Sequence, residues 1–305
     1  MISAGFPSQI KCERLDRGQI ESRLNACACL PSLGAIDSAL KDLLSADQRY
    51  TSQIADIIRR DPSLTARLLR LVQSIYYDIA TPIKSIEEAV FYLGVRQIRQ
   101  LAMVTTVIDD FDKLPGNRCF PWRDFWRHCI ATALMTREII DMVQWSDGEA
   151  DYIAGLIHDV GKIAMATVFP EHFNVIYQQP LESPVDLCEL ERQILGMDHA
   201  ELGGLYLKKQ LLPDVFVEVV QCHHEPGKAR KNPRIPASVQ VADLLIRHAK
   251  IGNSGARTEV PKDAWLECEG AGILFGQQTD EDRAVTNATL KLRLERIPTI
   301  LESLV

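Results

Sequence analysis

Apolar residues recur three and four positions apart along most of this chain, the spacing that buries one face of an α-helix. Leu40, Leu43 and Leu44 form one stripe, Ile54, Ile57 and Ile58 a second, and Leu64, Leu68, Leu71, Val72 and Ile75 a third. Asp61-Pro62-Ser63 separates the last two, because proline removes a backbone donor and clashes with the preceding turn. Ile86, Ala89, Val90 and Leu93 continue the pattern to Gly94, and Ile98, Leu101, Ala102 and Val104 open another helix. No alternation of strand length interrupts these stripes, so the pattern predicts an all-α fold.

The second half has the same character. Asp109 to Arg118 reads as a polar, Pro/Gly-broken connector between two helical parts. Trp122 to Val143 follows as a long helix with Phe125, Cys129, Ile130, Ala133 and Leu134 on its apolar side. Ser146-Asp-Gly-Glu149 is a capping box for the next helix, and Ser183-Pro184 opens one that runs to Gly196. Asp198-His-Ala-Glu201 resembles another capping box and predicts a helix through Leu211. Pro213 begins a helix that must stop at His223-His224-Glu225-Pro226. A further helix is predicted from Pro236 to Ala249. Ile251 to Gln278 reads as irregular, and Asp280 to Leu304 as a final helix. These boundaries divide the chain into an N-terminal arm (1–29), a helical half (30–115), a second helical half (116–250) and a C-terminal extension (251–305).

With 46% hydrophobic residues in 305, there is ample material for a large core. The net charge of -7 argues against general nucleic-acid binding or an anionic membrane surface. No apolar run reaches spanning length, and Met1 to Arg23 lacks the order of a secretory signal, so a cytoplasmic location is expected. The eight cysteines are scattered without disulfide-scaffold spacing and are expected to be reduced. Cys27-Ala-Cys29 has no second pair to complete a zinc site. There is no Walker loop, dinucleotide-binding glycine motif, Gly-x-Ser-x-Gly elbow or CxxC pair.

The chemistry concentrates in Gly155-Leu-Ile-His-Asp-Val-Gly-Lys162 and a set of histidines. His158 offers a nitrogen and Asp159 a hard oxygen, a mixture that suits mid-series divalent metals. Gly161 permits a turn or a close backbone approach, and Lys162 brings a positive charge. Five of the seven histidines, His128, His158, His199, His223 and His224, fall where one site could collect them, together with Asp159 and Asp243. Singly, each has a plainer role as a core or helix-end residue. Together they suffice for two octahedral metals bridged by Asp159, with iron or manganese fitting best and nickel or zinc next on affinity. Arg59, Arg60, Arg67 and Arg70 read as a solvated face. Asp124, one turn before His128, is a candidate to orient it, and Lys228, Arg230, Lys231 and Arg234 form a basic loop open to an anion.

The order His128, His158-Asp159, Asp243 resembles the core of the HD superfamily of metal-dependent phosphohydrolases. The added His199 and His223-His224 match the two-metal pattern of the HD-GYP cyclic-dinucleotide phosphodiesterases. Leu30-Pro-Ser-Leu, Ile58-Arg-Arg-Asp-Pro-Ser-Leu-Thr65, Leu68-Leu-Arg-Leu-Val-Gln-Ser74 and Ile83 to Val90 through Leu93-Gly94 are similar to the HDOD family, the HD-related output domain of bacterial signalling proteins, over about residues 25 to 245. The resemblance implies an HD-type helical bundle with an added N-terminal helical part. It implies one metal held by His128, His158, Asp159 and Asp243, and a second held by Asp159, His199, His223 and His224. It further implies a water nucleophile between the metals, Lys162 on phosphate, and a nucleotide-like phosphate ligand. The loop after His223-His224-Glu225 lacks the Gly-Tyr-Pro signature, and many HDOD members have lost metal ligands. Three readings therefore stand: a phosphohydrolase or phosphodiesterase, a signalling scaffold whose N-terminal half contacts a partner protein, and a metal-free adaptor.

Overall fold

The computed structural model describes residues 12–27, 120–145, 150–178, 186–209 and 212–304. The stripes of the helical half at 30–115, its arginines, the connector and the capping box at 146–149 lie outside the described residues. Among the described residues every regular element is helical. In chain order these are α1 (Arg17–Ala26), α2 (Trp122–Met142), α3 (Ala150–Ile157), α4 (Val160–Val168), α5 (Pro170–Gln178), α6 (Leu187–Ile194), α7 (His199–Lys209), α8 (Asp214–Cys222), α9 (Arg234–His248), α10 (Ala264–Glu267), α11 (Glu269–Phe275) and α12 (Asp280–Leu304). A short 3-10 turn, Pro226–Lys228, follows α8.

The long α2 is the axis of the bundle. Phe125, Cys129, Ile130, Ala133 and Ile139 are fully or almost fully buried along it, and it packs against α3, α9 and α12. A second layer forms where α7 lies between α4 and α8. Tyr152, Ile163, Phe173, Leu202, Phe216 and Leu245 join α2 in one continuous core, so burial of this shared apolar surface is what fixes the helices relative to one another. No single described helix is long and apolar enough to cross a membrane. The apolar run Asp151–Val168 and the helix after it bend by 116° and are mostly buried in that core.

The N-terminal arm docks on the bundle. Asp16 and Gln19 form a reciprocal capping box at the start of α1, whose Ile20 and Leu24 enter the core. At its other end the Lys209 ammonium donates to the carbonyls of Leu24 (2.5 Å) and Cys27 (2.6 Å), neutralising the negative end of the helix. Lys209→Met is expected to cost about 1 kcal/mol in urea unfolding and to make Arg23 more susceptible to trypsin.

Several boundaries differ from the sequence pattern. Helix α6 runs from Leu187, where the Asp186 side chain accepts from the Glu189 amide, and the expected start at Ser183-Pro184 lies outside the described residues. That cap satisfies one of the amides that a helix start leaves free. Helix α9 begins at Arg234, which leaves Pro236 in the first turn, where its missing N–H costs nothing. The stretch expected to be irregular contains α10 and α11. Gly270, Gly272 and Gly276 dilute the apolar spacing there, yet Trp265, Ala271 and Phe275 are buried. The last helix carries Pro298 in its interior, and Leu290, Ile297 and Leu301 fold it back onto the core.

Candidate metal centre

One local device, used twice, aims two of the histidines. His158 follows the last residue of α3 and His223 the last residue of α8. The Nδ1 of His158 lies 2.8 Å from the carbonyl of Gly155, and that of His223 lies 2.8 Å from the carbonyl of Val220. Each carbonyl is one of the acceptors that a helix end leaves unsatisfied. A carbonyl only accepts, so Nδ1 carries the proton in both rings and the Nε2 lone pair points away from the helix. The chain turns at His158-Asp159 and resumes as α4, with Asp159 in the N-cap position but making no cap bond, so its carboxylate is free to face the histidines.

His128, on α2, and Asp243, on α9, meet this pair from the opposite side. His128 Nε2 lies 3.1 Å from Asp243 Oδ1, and His158 Nε2 lies 4.0 Å from the same oxygen and 3.4 Å from Asp159 Oδ2. On the other flank, His199 Nε2 is 3.1 Å and His223 Nε2 3.8 Å from Asp159 Oδ1. His224 completes the row, with its Nε2 2.9 Å from that of His199. The two oxygens of Asp159 thus face two groups of nitrogens. His128, His158 and Asp159 form one set of ligand atoms within 4.8 Å of one another, and Asp159, His199 and His223 another.

The Nε2 atoms of His128, His158 and His223 are buried and make no hydrogen bond of acceptable geometry, although carboxylate oxygens lie close to all three. Leaving a buried polar atom unsatisfied costs about 1–3 kcal/mol. Three such atoms beside carboxylates, in two groups that share Asp159, have the arrangement of metal ligands. These groups could hold a divalent metal.

Electrostatics agree with that geometry. Burial lowers His128, and it lowers His223 to about 3, so both rings are neutral with their lone pairs available. His224 is likewise held well below the ordinary histidine range by burial and by His223. Burial opposes ionisation of Asp159, but the Lys162 ammonium and His158 keep its carboxyl well below the usual range. Asp243 is ionised in the same way, with Arg247 and His128 overcoming burial. His199 is the exception. Burial works against its charged form, yet Glu191 and Asp159 raise it to about 9. Its proton, placed between Asp159 and His224, stands where a cation would otherwise be.

All seven residues expected at this site are therefore brought together, and Lys162 is with them. Lys162 is buried. Its ammonium lies 2.6 Å from Asp159 Oδ2 and donates to the Ser254 carbonyl at 2.9 Å. Asp124 is exposed, and its carbonyl accepts from the Asn253 amide. In the basic loop, Lys228 pairs with Glu225 and Lys231 with Asp214 on the surface. His172 and His248, the two remaining histidines, contact the carbonyls of Glu13 and Val260. Cys27 is a free, partly buried cysteine, and Cys29 lies outside the described residues.

Three contributors have no motif to announce them. Glu191, fully buried on α6, lies 2.6 Å from His199 Nδ1 and also accepts from the His199 amide, which fixes that ring as carboxylate partners of ligating histidines do. Ser254 supplies the second acceptor for Lys162. Its loop can approach because Gly252, at φ +69, lies against His128, where a β-carbon would collide with the His128 backbone. Cys188, buried on α6, stands with His199 and His224. Glu191→Gln removes the charge but keeps the shape, and is expected to weaken divalent metal binding about 10- to 100-fold in isothermal titration.

An all-α bundle that collects histidines and aspartates from three helices, α2, α7 and α9, and from the turns after α3 and α8 is the architecture of an HD-type protein. The HDOD domain model matches residues 30–226, and the chain belongs to the HDOD family. Among solved structures, an HDOD domain protein of unknown function from Geobacter sulfurreducens aligns with a TM-score of 0.73 at 22% identity, covering 94% of this chain and 99% of that one. A candidate phosphohydrolase from Shewanella amazonensis SB2B aligns with a TM-score of 0.66 at 21% identity, covering 94% and 98%. An uncharacterized protein from Treponema pallidum (strain Nichols) is 23% identical over 216 residues, 70% of this chain, and the chain spans 42% of that relative's length.

Proposed function

We propose that this HDOD protein is a metal-dependent phosphohydrolase or phosphodiesterase acting on a nucleotide-like phosphate signal. The observation that carries the reading is the set of three buried Nε2 atoms without hydrogen bonds, gathered around ionised Asp159 and Asp243. His128, His158, Asp159 and Asp243 would hold one divalent ion, and Asp159, His199, His223 and His224 a second, with Asp159 shared. Iron or manganese suits the nitrogen and oxygen donors, with nickel or zinc next. Such ions supply Lewis acidity for a phosphoryl group and a lowered pKa for water. The protein's own groups do the rest. Glu191 orients His199, the Gly155 and Val220 carbonyls orient His158 and His223, and Lys162 keeps Asp159 ionised while adding positive charge beside the place a phosphate would take. Asp159 and Lys162 are thus the groups assigned to the reacting centre.

A second reading is favoured by one specific observation. Lys162 is only 3% exposed, and its ammonium is already engaged by Asp159 and Ser254, which suits a structural or ligand-sensing ion in a signalling module. Such a module would contact its partner protein through the N-terminal helical half. Metal analysis of the purified protein, followed by a phosphodiester hydrolysis assay with His158→Ala as control, separates the two. Turnover that needs both the ion and His158 is the expected result. Stoichiometric metal without turnover favours the scaffold, and sub-stoichiometric metal after growth with ample iron and manganese ends both readings.

A further inference from the structure

The His199 and His224 end of the row differs in chemistry from the rest. Cys188 and Glu191 are one turn apart on α6 and so share a face. Glu191 holds His199 by Nδ1, and the Cys188 sulfur lies within 4.8 Å of ligand nitrogens of both His199 and His224. Those two rings approach Nε2 to Nε2 at 2.9 Å, a separation that two nitrogens reach when they bind one centre. Cys188 is 9% exposed, and its thiol is free. A sulfur, two imidazoles and a buried position match the donor mixture of borderline and soft divalent ions.

We propose that Cys188 is a ligand of the second metal position, so that the ion next to His199 and His224 has a sulfur in its coordination sphere. On binding, the Cys188 thiol and His199 Nε2 each lose a proton to solvent, and the freed sulfur and nitrogen lone pairs take the cation. The two positions are then unlike. The one at His128, His158 and Asp243 has nitrogen and oxygen donors only, and takes manganese or iron. The one at Cys188 selects zinc, cobalt(II) or cadmium over manganese. The inference rests on the metal-binding reading above, and its test separates the two.

The whole protein, stripped of metal, is titrated anaerobically with cobalt(II) and followed by absorbance. The expected result is visible cobalt bands together with a near-ultraviolet sulfur-to-cobalt charge-transfer band. Cys188→Ser is expected to lose the near-ultraviolet band and keep the visible ones, while Cys222→Ser, which alters the thiol next to His223, keeps both. Visible bands without a charge-transfer band in the unmodified protein, or a charge-transfer band that survives Cys188→Ser, overturn the assignment of Cys188 and leave the metal site standing. Failure to bind cobalt at all overturns the metal-binding reading itself.

Discussion

Replacing Asp159 with alanine is expected to abolish metal binding at both positions and to lower the stability of the metal-free protein by about 3–5 kcal/mol. The two effects have different origins. Asp159 is 2% exposed and presents one oxygen to His158 and the other to His199 and His223, so it joins the two groups of nitrogens. It is also the anion for Lys162, whose ammonium is 2.6 Å away and 3% exposed. Removing the carboxylate leaves a cation in the interior without its neutralising partner, and the Ser254 carbonyl offers a dipole but no charge. Adding Lys162→Met removes that cation with little change in volume. The double variant should therefore recover most of the lost stability and none of the metal. Urea unfolding in the presence of a chelator, with metal analysis alongside, measures both. If the double variant unfolds as readily as Asp159→Ala, the buried lysine is not the source of the cost.

The cluster of histidines and aspartates was legible in the sequence because it depends on residue type and order. Histidine is scarce enough, at seven in 305 residues, that His128, His158-Asp159, His199 and His223-His224 stand out from the helical background, with Asp243 added by its order in the chain. The all-α pattern was legible because burial imposes a period on every helix. The partners that orient the ligands were not. Glu191 sits in Leu-Cys-Glu-Leu-Glu-Arg-Gln-Ile, where it looks like any exposed helix acid. Only the fold shows that this turn of α6 faces inward, toward a histidine eight residues later. The acceptance of Lys162 by a backbone carbonyl carries no side-chain signal at all. The sole hint at Ser254 was its setting in Gly-Asn-Ser-Gly, whose glycines mark a tight approach without saying to what. Cys188 was hidden by the opposite problem, since a small buried thiol is what an ordinary helix core also contains.

Gly161→Ala is expected to destabilise the protein by about 3 kcal/mol and to lower its metal content, although the change is one methyl group and Gly161 binds nothing. A β-carbon there would overlap the His199 carbonyl oxygen and come within 2.7 Å of the carbonyl carbon and 2.8 Å of the Gly203 amide nitrogen. All three are backbone atoms and cannot rotate away, so α4 and α7 must separate. Their contact is what brings the Asp159 carboxylate, at the head of α4, to His199, at the head of α7. A separation that lengthens the 3.1 Å gap between them would divide the second group of ligands. Gly272→Ala in α11 is the matching control. A β-carbon there meets nothing within 4 Å, and alanine should stabilise the helix by roughly 0.4–1 kcal/mol. Thermal unfolding and metal content of the two variants, measured together, distinguish the outcomes. If Gly161→Ala keeps full metal content while losing stability, the α4–α7 contact supports the fold alone; if it loses neither, the close approach of these helices has been misjudged.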